Sequence, residues 1–163
     1  MRYSIYTDEQ AESFSDRIEP LFRSHSQDFK PALASRDKDI SSVVSNFTSG
    51  RKIVYATSGS REDNILGFLL VNPVGFRDII RIYAPCHYVN IALVAEEFRD
   101  NGIGTELLNK TIDEFLYEGD QYLALRTRTD NKRMQSVVKS VGFNLVGHEE
   151  DNGHKRQYYV YKK

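Results

Sequence analysis

The sequence predicts a mixed α/β protein, with a mostly antiparallel central sheet flanked by about four helices. Two observations carry that prediction. Apolar positions switch between strand alternation and helical spacing in the order β, α, α, β, β, β, α, β, α, β, β, which is neither strict βα alternation nor segregated blocks. Hairpin signals at "GSRED" (59–63) and "DNGH" (151–154) also join neighbouring strands directly.

Each element has a local reason. "MRYSIY" (1–6) alternates and carries Tyr and Ile, as a first strand would. Thr7 and Gln10 have capping-box spacing, and Ala11, Phe14, Ile18, Leu21 and Phe22 follow at helical intervals. Pro20 has no amide hydrogen to give and is expected to kink or split this helix. Pro31 suits the start of a second helix, with Leu33, Ile40, Val43, Val44 and Phe47 on its buried side and Gly50 as its stop.

"RKIVYATS" (51–58) and "NILGFLLV" (64–71) read as two strands, the second broken by "NPVG" (72–75). The segment 76–86 fits either a strand or a short helical turn. "HYVNIALVA" (87–95) is apolar at nearly every position after Asn90, the pattern of a strand buried on both faces. Ile103, Leu107, Leu108, Ile112, Phe115 and Leu116 describe an amphipathic helix with Gly119 as its expected end. "YLALRTR" (122–128) is a further strand. "DNKRMQSVVKSVG" (130–142) is a helix with an Asp or Asn cap and a Gly stop. "FNLVGHEE" (143–150) and "KRQYYVYKK" (155–163) complete a terminal hairpin.

Composition bounds the function. The chain has 163 residues, 40% of them hydrophobic and 28% charged, which suits one globular domain over 1–163 with a sizeable core. A formal net charge of −1 supplies no global field for nucleic acid or an anionic membrane, so neither is expected as a partner. Cys86 is the only cysteine, which excludes an internal disulfide and a multi-cysteine metal site. The N-terminus lacks a long apolar stretch, and "ILGFLLVNPVGF" (65–76) is too short and interrupted to span a bilayer. The expectation is a soluble, cytoplasmic protein without a metal.

"FRDNGIGTELL" (98–108) sets two glycines, Gly102 and Gly104, where a helix begins after a strand. The first amides of a helix have no partner inside it, and with the helix dipole they favour an anion. Glycine lets a phosphate approach the backbone and permits positive φ. Arg99, Asn101 and Thr105 add donors, a set that suits a diphosphate. The spacing is neither that of a nucleoside-triphosphate loop nor a dinucleotide fingerprint. Taken alone, R-x-x-G-x-G leaves two readings open: an anion site, or a cap that tolerates small residues.

The wider pattern resembles the GNAT superfamily of N-acetyltransferases. "VNIALVAEEFRDNGIGTELLNKTI" (89–112) is similar to motif A, a strand followed by Arg or Gln-x-x-Gly-x-Gly or Ala and a long helix. "DNKRMQSVVKSVGF" (130–143) is similar to motif B, in which an Asn opening the next helix precedes Gly-Phe at a fixed interval. The two motifs stand at family spacing, and the element order matches over roughly the whole chain. The resemblance implies acetyl-CoA as cofactor, its pyrophosphate held by Arg99, Asp100, Asn101, Gly102, Ile103, Gly104 and Thr105. It implies that the strand splays from its neighbour, so that the main chain of Ala92, Leu93 and Val94 pairs with the pantetheine arm. An amide near Val94 would then polarise the thioester carbonyl, and Asn131 would lie near the thiol end. Ordinary packing at 92–94 is compatible with a main-chain role there, whereas ordinary helix capping is the alternative reading of Asn131.

Two departures concern catalysis. Many relatives place a Tyr general acid five residues before the Phe of Gly-Phe, where this chain has Val138. Some place a Glu general base on the motif A strand, where it has Tyr88. Tyr88 is a poor base at a pKa of about 10, so Asn90, on the same face, is expected to hold a water that relays the proton. A Tyr of the last strand, Tyr158, Tyr159 or Tyr161, is the candidate replacement acid. His87 reads best as a surface histidine and Cys86 as buried packing. His25 would border the acceptor site.

A third departure puts Arg126, with Arg128 on the same face, where some relatives carry an acidic residue facing the acceptor. Arg126 is the expected acceptor-binding residue, suited to a carboxylate or phosphate; the alternative is pairing with Glu149 or Glu150. The acceptor is a small-molecule or peptide amine, and the resemblance also allows a homodimer. Three functions fit: an N-acetyltransferase acting by direct attack in a ternary complex, a non-catalytic acyl-CoA-binding or regulatory module, and an interaction domain whose glycines only cap a helix.

Overall fold

The structure, a computed structural model, describes residues 1–6, 8–28, 40–48, 51–59, 64–77, 82–116, 122–151 and 153–163. Its elements are β1 (Arg2–Tyr6), α1 (Asp8–Ser24), α2 (Ile40–Thr48), β2 (Lys52–Thr57), β3 (Ile65–Arg77), β4 (Ile82–Val94), α3 (Ile103–Phe115), β5 (Tyr122–Arg128), α4 (Lys132–Val141), β6 (Asn144–Asp151) and β7 (His154–Lys162). They build one seven-stranded sheet in the order β1-β2-β3-β4-β5-β7-β6. Every pairing is antiparallel except β4 with β5, so the predicted mixed, mostly antiparallel sheet with four helices is what the chain forms.

Strand alternation divides the core between the two faces. Val54, Ala56, Leu69 and Val71 point to one face, where Leu107, Leu108 and Ile112 of α3 and Val138 of α4 cover them. Ile53, Tyr55, Phe68 and Leu70 point to the other, under Phe14, Ile18 and Phe22 of α1 and Val43 and Val44 of α2. A Leu, Ile, Val or Phe buried in this way contributes about 1.5–3 kcal/mol.

Several expectations need correction. Pro20 does not split α1, which continues to Ser24. Pro20 and Asp16, whose carbonyl it cannot serve, are both exposed residues, while Ile18 and Phe22 on either side of Pro20 are buried. "NPVG" does not end β3, which runs to Arg77 with a register shift between Asn72 and Gly75. The ambiguous segment is strand from Ile82 onward. Helix α3 closes at Leu116, before Gly119. Thr7, Pro31, Leu33, Gly50 and Gly119 lie outside the described residues.

Two features of β4 set up the site. Val71 pairs with Val89 but Leu70 with Ile91, so Asn90 is an extra residue, a β-bulge. The bulge reverses the inward face: Val89 packs on the α3 side, Ile91 and Leu93 on the α1 side. Beyond the bulge β4 and β5 part company. Their parallel pairing runs from Cys86 with Tyr122 to Val89 with Leu125 and stops there, while β4 stays paired with β3 as far as Val94. Gly67 makes that close approach possible, since a Cβ on it would lie 2.8 Å from the Leu93 carbonyl oxygen.

Candidate functional site

The parted strands open a V-shaped cleft of about 730 Å³, lined on one side by β4 and the turn after it and on the other by β5 and α4. Ala92, Leu93 and Val94 line it with main chain that β5 no longer pairs. The anticipated phosphate loop closes one end, with Arg99, Asp100, Gly102, Ile103, Gly104 and Thr105 along the wall.

The loop is shaped by its own backbone. Asp100 and Gly102 both take left-handed conformations, at φ 62° and 77°. Asn101 Nδ2 donates to the carbonyls of Phe98 and Arg99, at 3.3 and 3.0 Å, so its side chain fastens the turn. Gly102 is the N-cap of α3 and supplies no side-chain acceptor, which leaves the first helical amides aimed at the cleft.

Gly104 bears on both readings of the glycine pair. A Cβ there would meet only Val137 and Val94 methyls at 3.8–4.0 Å, ordinary contact distances. Packing within the chain therefore does not require a glycine at 104. The space left there fits either a tolerated small residue or a ligand close to the backbone.

Charge at this end is arranged in pairs. Arg99 Nε donates to the Val94 carbonyl at 3.0 Å, and its Nη2 lies 3.1 Å from Asp28, at the end of the turn that follows α1. Arg133, in the first turn of α4, lies 3.2 Å from Asp100. Asn131 caps α4 by accepting from the Met134 amide at 3.1 Å and also lines the cleft, so capping and cleft position coincide. Asp28, Arg133 and Met134 were absent from the sequence-level site. Asp28 reaches it only through tertiary packing, whereas Arg133 and Met134 could have been read from their places in the first turn of a cleft-facing helix.

The middle of the V is polar on its α1 side. Asn90 lines the cleft and shares a 2.7 Å hydrogen bond with Asn72, whose Oδ1 also accepts from Arg51 Nε at 2.7 Å. With its amide turned so that oxygen faces Arg51, Asn90 accepts from that guanidinium at 2.9 and 3.2 Å. Tyr88 is buried with Cys86, Ala124 and Val160, close enough to Arg126 to influence it electrostatically, but is not itself part of the cleft wall.

Arg126 lines the cleft and its Nη1 lies 3.4 Å from both Glu149 Oε2 and Tyr158 Oη, so the anticipated partnership with Glu149 forms. Tyr158 donates to Glu149 at 2.6 Å. Burial first, and then that hydrogen bond, raise the Tyr158 pKa, while Arg126 opposes the rise. The last-strand tyrosines do not bring a hydroxyl to the cleft: Tyr158 is committed to Glu149, Tyr159 donates to Gln157 at 3.0 Å, and Tyr161 packs on Phe143. Val138 is fully buried in the apolar core. His87 is not the surface histidine expected but is buried beneath α3, its ring 5.4 Å from that of Phe115. The parity of β4 turns it away from Tyr88. His25 is buried at the end of α1, with Nδ1 near the Leu21 carbonyl at 3.1 Å, and does not line the cleft. Among the described residues, no helix is long and apolar enough to cross a membrane.

A seven-stranded sheet parted at its parallel pair, with an uncapped helix start beyond the parted end of β4, defines a class, and comparison with known proteins gives the same result. The acetyltransferase (GNAT) family model matches residues 6–143, and the chain belongs to that family. Solved structures share the fold over almost the entire chain. Ribosomal-protein-alanine N-acetyltransferase from Brucella melitensis has a TM-score of 0.73 at 17% identity, covering 100% of both chains. Aminoglycoside 6'-acetyltransferase type Ii has a TM-score of 0.71 at 18% identity, covering 99% of this chain and 97% of that one. NAA60 of Arabidopsis thaliana, in complex with acetyl-CoA, has a TM-score of 0.70 at 16% identity, with 99% and 97% covered. No curated protein matches this chain by sequence.

Proposed function

We propose that this protein is an acetyl-CoA-dependent N-acetyltransferase that acylates a primary amine by direct attack within a ternary complex. The observation that carries the reading is the uncapped start of α3 at Gly102–Thr105, where Gly104 leaves room that the protein itself does not need. Acetyl-CoA supplies the activated acetyl thioester. Arg99 and the main chain from Asp100 to Thr105, fastened by Asn101, hold its diphosphate. Ala92, Leu93 and Val94 offer amides and carbonyls to the pantetheine arm, and Asn131 borders it from α4. An amide near Val94 donates to the carbonyl oxygen as charge develops on it.

The acceptor enters from the α1 face. Asn90, held by Asn72, keeps a water against the incoming amine, while Tyr88, buried beside Arg126, acts behind the wall and not as a strong base. Arg126 contacts the acceptor. An α-amino group, with a pKa of about 7.7–8.0, loses its proton far more readily than a lysine at about 10.4, and suits a site without a carboxylate base. The departing thiolate has a pKa of about 8.5 and leaves without an obligatory acid.

One observation favours the second reading, a non-catalytic acyl-CoA-binding module: Val138 is sealed in the core, and the tyrosines of β7 do not bring a hydroxyl to the cleft. Calorimetry with acetyl-CoA and a thiol-release assay across paired α-amines and alkylamines test both. Tight binding with release favouring α-amines supports the enzyme. Tight binding with no release from any amine supports the module. Absence of binding removes both.

A further inference from the structure

The cleft has a second charged region, at the far end of β5. Arg126 and Arg128 alternate on that strand, and Arg156 stands directly opposite Arg128 on β7. All three line the cleft. By strand parity they share the face of Ala124, Tyr88 and Val160, the side on which an acceptor would enter.

Like charges directly across a strand pair are unfavourable, and neighbouring carboxylates offset them. Arg128 is clamped by Asp130 at 2.7 and 2.8 Å. A single carboxylate, Glu149, serves both Arg126 at 3.4 Å and Arg156 at 3.9 Å while accepting from Tyr158 at 2.6 Å. Neither Asp130 nor Glu149 lines the cleft. The two carboxylates that do, Asp28 and Asp100, are paired with Arg99 and Arg133. Among the described residues, the cleft lining here includes Arg126, Arg128 and Arg156 but neither of their acidic partners, which stand beside them, Glu149 directly across from Arg156 on β6.

We propose that the acceptor carries an oxyanion, a carboxylate or a phosphate, beside its amine, and that Arg126, Arg128 and Arg156 form the subsite that grips it. Guanidinium forks match both groups, and orientation by Asp130 and Glu149 lowers the entropy lost on binding. The subsite also orders the reaction. With the anion fixed at the rim, the amine is held toward Asn90 and the thioester, and the positive potential favours its neutral, nucleophilic form.

The proposal rests on the N-acetyltransferase reading, so binding and turnover are measured apart. The CoA-saturated protein is titrated with two matched pairs, O-phosphoethanolamine against ethanolamine and β-alanine against propylamine. Thiol release from acetyl-CoA is then followed with the same amines. The anionic member of each pair should bind about tenfold more tightly or better, the range of a charge-assisted contact. Arg156→Gln and Arg126→Gln should bring the pairs close to parity with the affinity for acetyl-CoA unchanged, and Arg126→Lys should restore part of the preference. Thermal melts identify any variant that does not fold, and the wild-type comparison needs no variant.

Equal or undetectable binding of both members overturns the proposal, as does a preference that survives both Gln substitutions. Weakened acetyl-CoA binding with amine selectivity intact would assign the arginines to the coenzyme and overturn it as well. Selective binding without thiol release would remove the enzyme reading and leave the anion subsite standing.

Discussion

At the scale of single residues, the two glycines of the α3 start do different work, and substitution separates them. Gly102 sits at φ 77°, so Gly102→Ala should destabilise the fold by about 1–2 kcal/mol, read as a lower denaturant midpoint. Gly104 is helical and a methyl there finds only ordinary contacts. Gly104→Ala should leave the midpoint unchanged or raise stability by up to about 1 kcal/mol, yet weaken acetyl-CoA binding about tenfold in calorimetry. Equal affinity in the two proteins would return Gly104 to a mere tolerated residue. Tyr158 makes a prediction about pH. Burial and the bond to Glu149 hold its pKa above the ordinary value of 10.0. The native state then keeps a proton that the unfolded chain has lost, so this contribution is complete below about pH 10 and falls away as pH rises further. Denaturant midpoints measured from pH 9 to 11 should therefore drop less steeply in Tyr158→Phe than in the parent, with Tyr3 and Tyr159, also raised by burial, accounting for slope that remains.

At the scale of elements, β3 and β4 hold the cleft open, and Gly67 is the residue on which their fit depends. A side chain there must displace the Leu93 carbonyl or the Val94 backbone. Gly67→Ala should cost about 1–3 kcal/mol in urea unfolding, with acetyl-CoA affinity falling alongside because Leu93 and Val94 shift. The sequence revealed elements where pattern and period were redundant. Helix α3 was legible because Ile103, Leu107, Leu108, Ile112 and Phe115 keep one stripe, and α4 because Asn131 and Gly142 bracket it. The turn after β4 was legible because its glycines and polar residues are consecutive in the chain. The bulge at Asn90 was not, because β4 is apolar on both faces and such a strand carries no mark of where its alternation slips. His87 is buried because β4 already begins at Ile82, a start that the ambiguous pattern of 76–86 did not mark. The break expected at "NPVG" became a register shift because pairing with β4 resumes on its far side at Gly75. The pairing of Asp28 with Arg99 had no local trace: it joins residues 71 apart in the chain.

At the scale of the whole molecule, ligand and fold should be thermodynamically linked. A coenzyme that binds only the native chain adds about 2.7 kcal/mol at a hundred times its dissociation constant. For a chain of this size that corresponds to a rise of about 5–10 °C in melting temperature, measurable by scanning calorimetry against acetyl-CoA concentration. The way the sheet is stitched says where the gain is felt. Strands β5, β7 and β6 join the first four through four residue pairs, Cys86–Tyr122 to Val89–Leu125. So short a neck leaves the two parts of the sheet held together mainly by the core beneath α3 and α4. A molecule lodged between the two halves acts as a splint. Amide exchange across Leu123–Leu125 should slow when the splint is in place, and the outer hairpin should quieten with it.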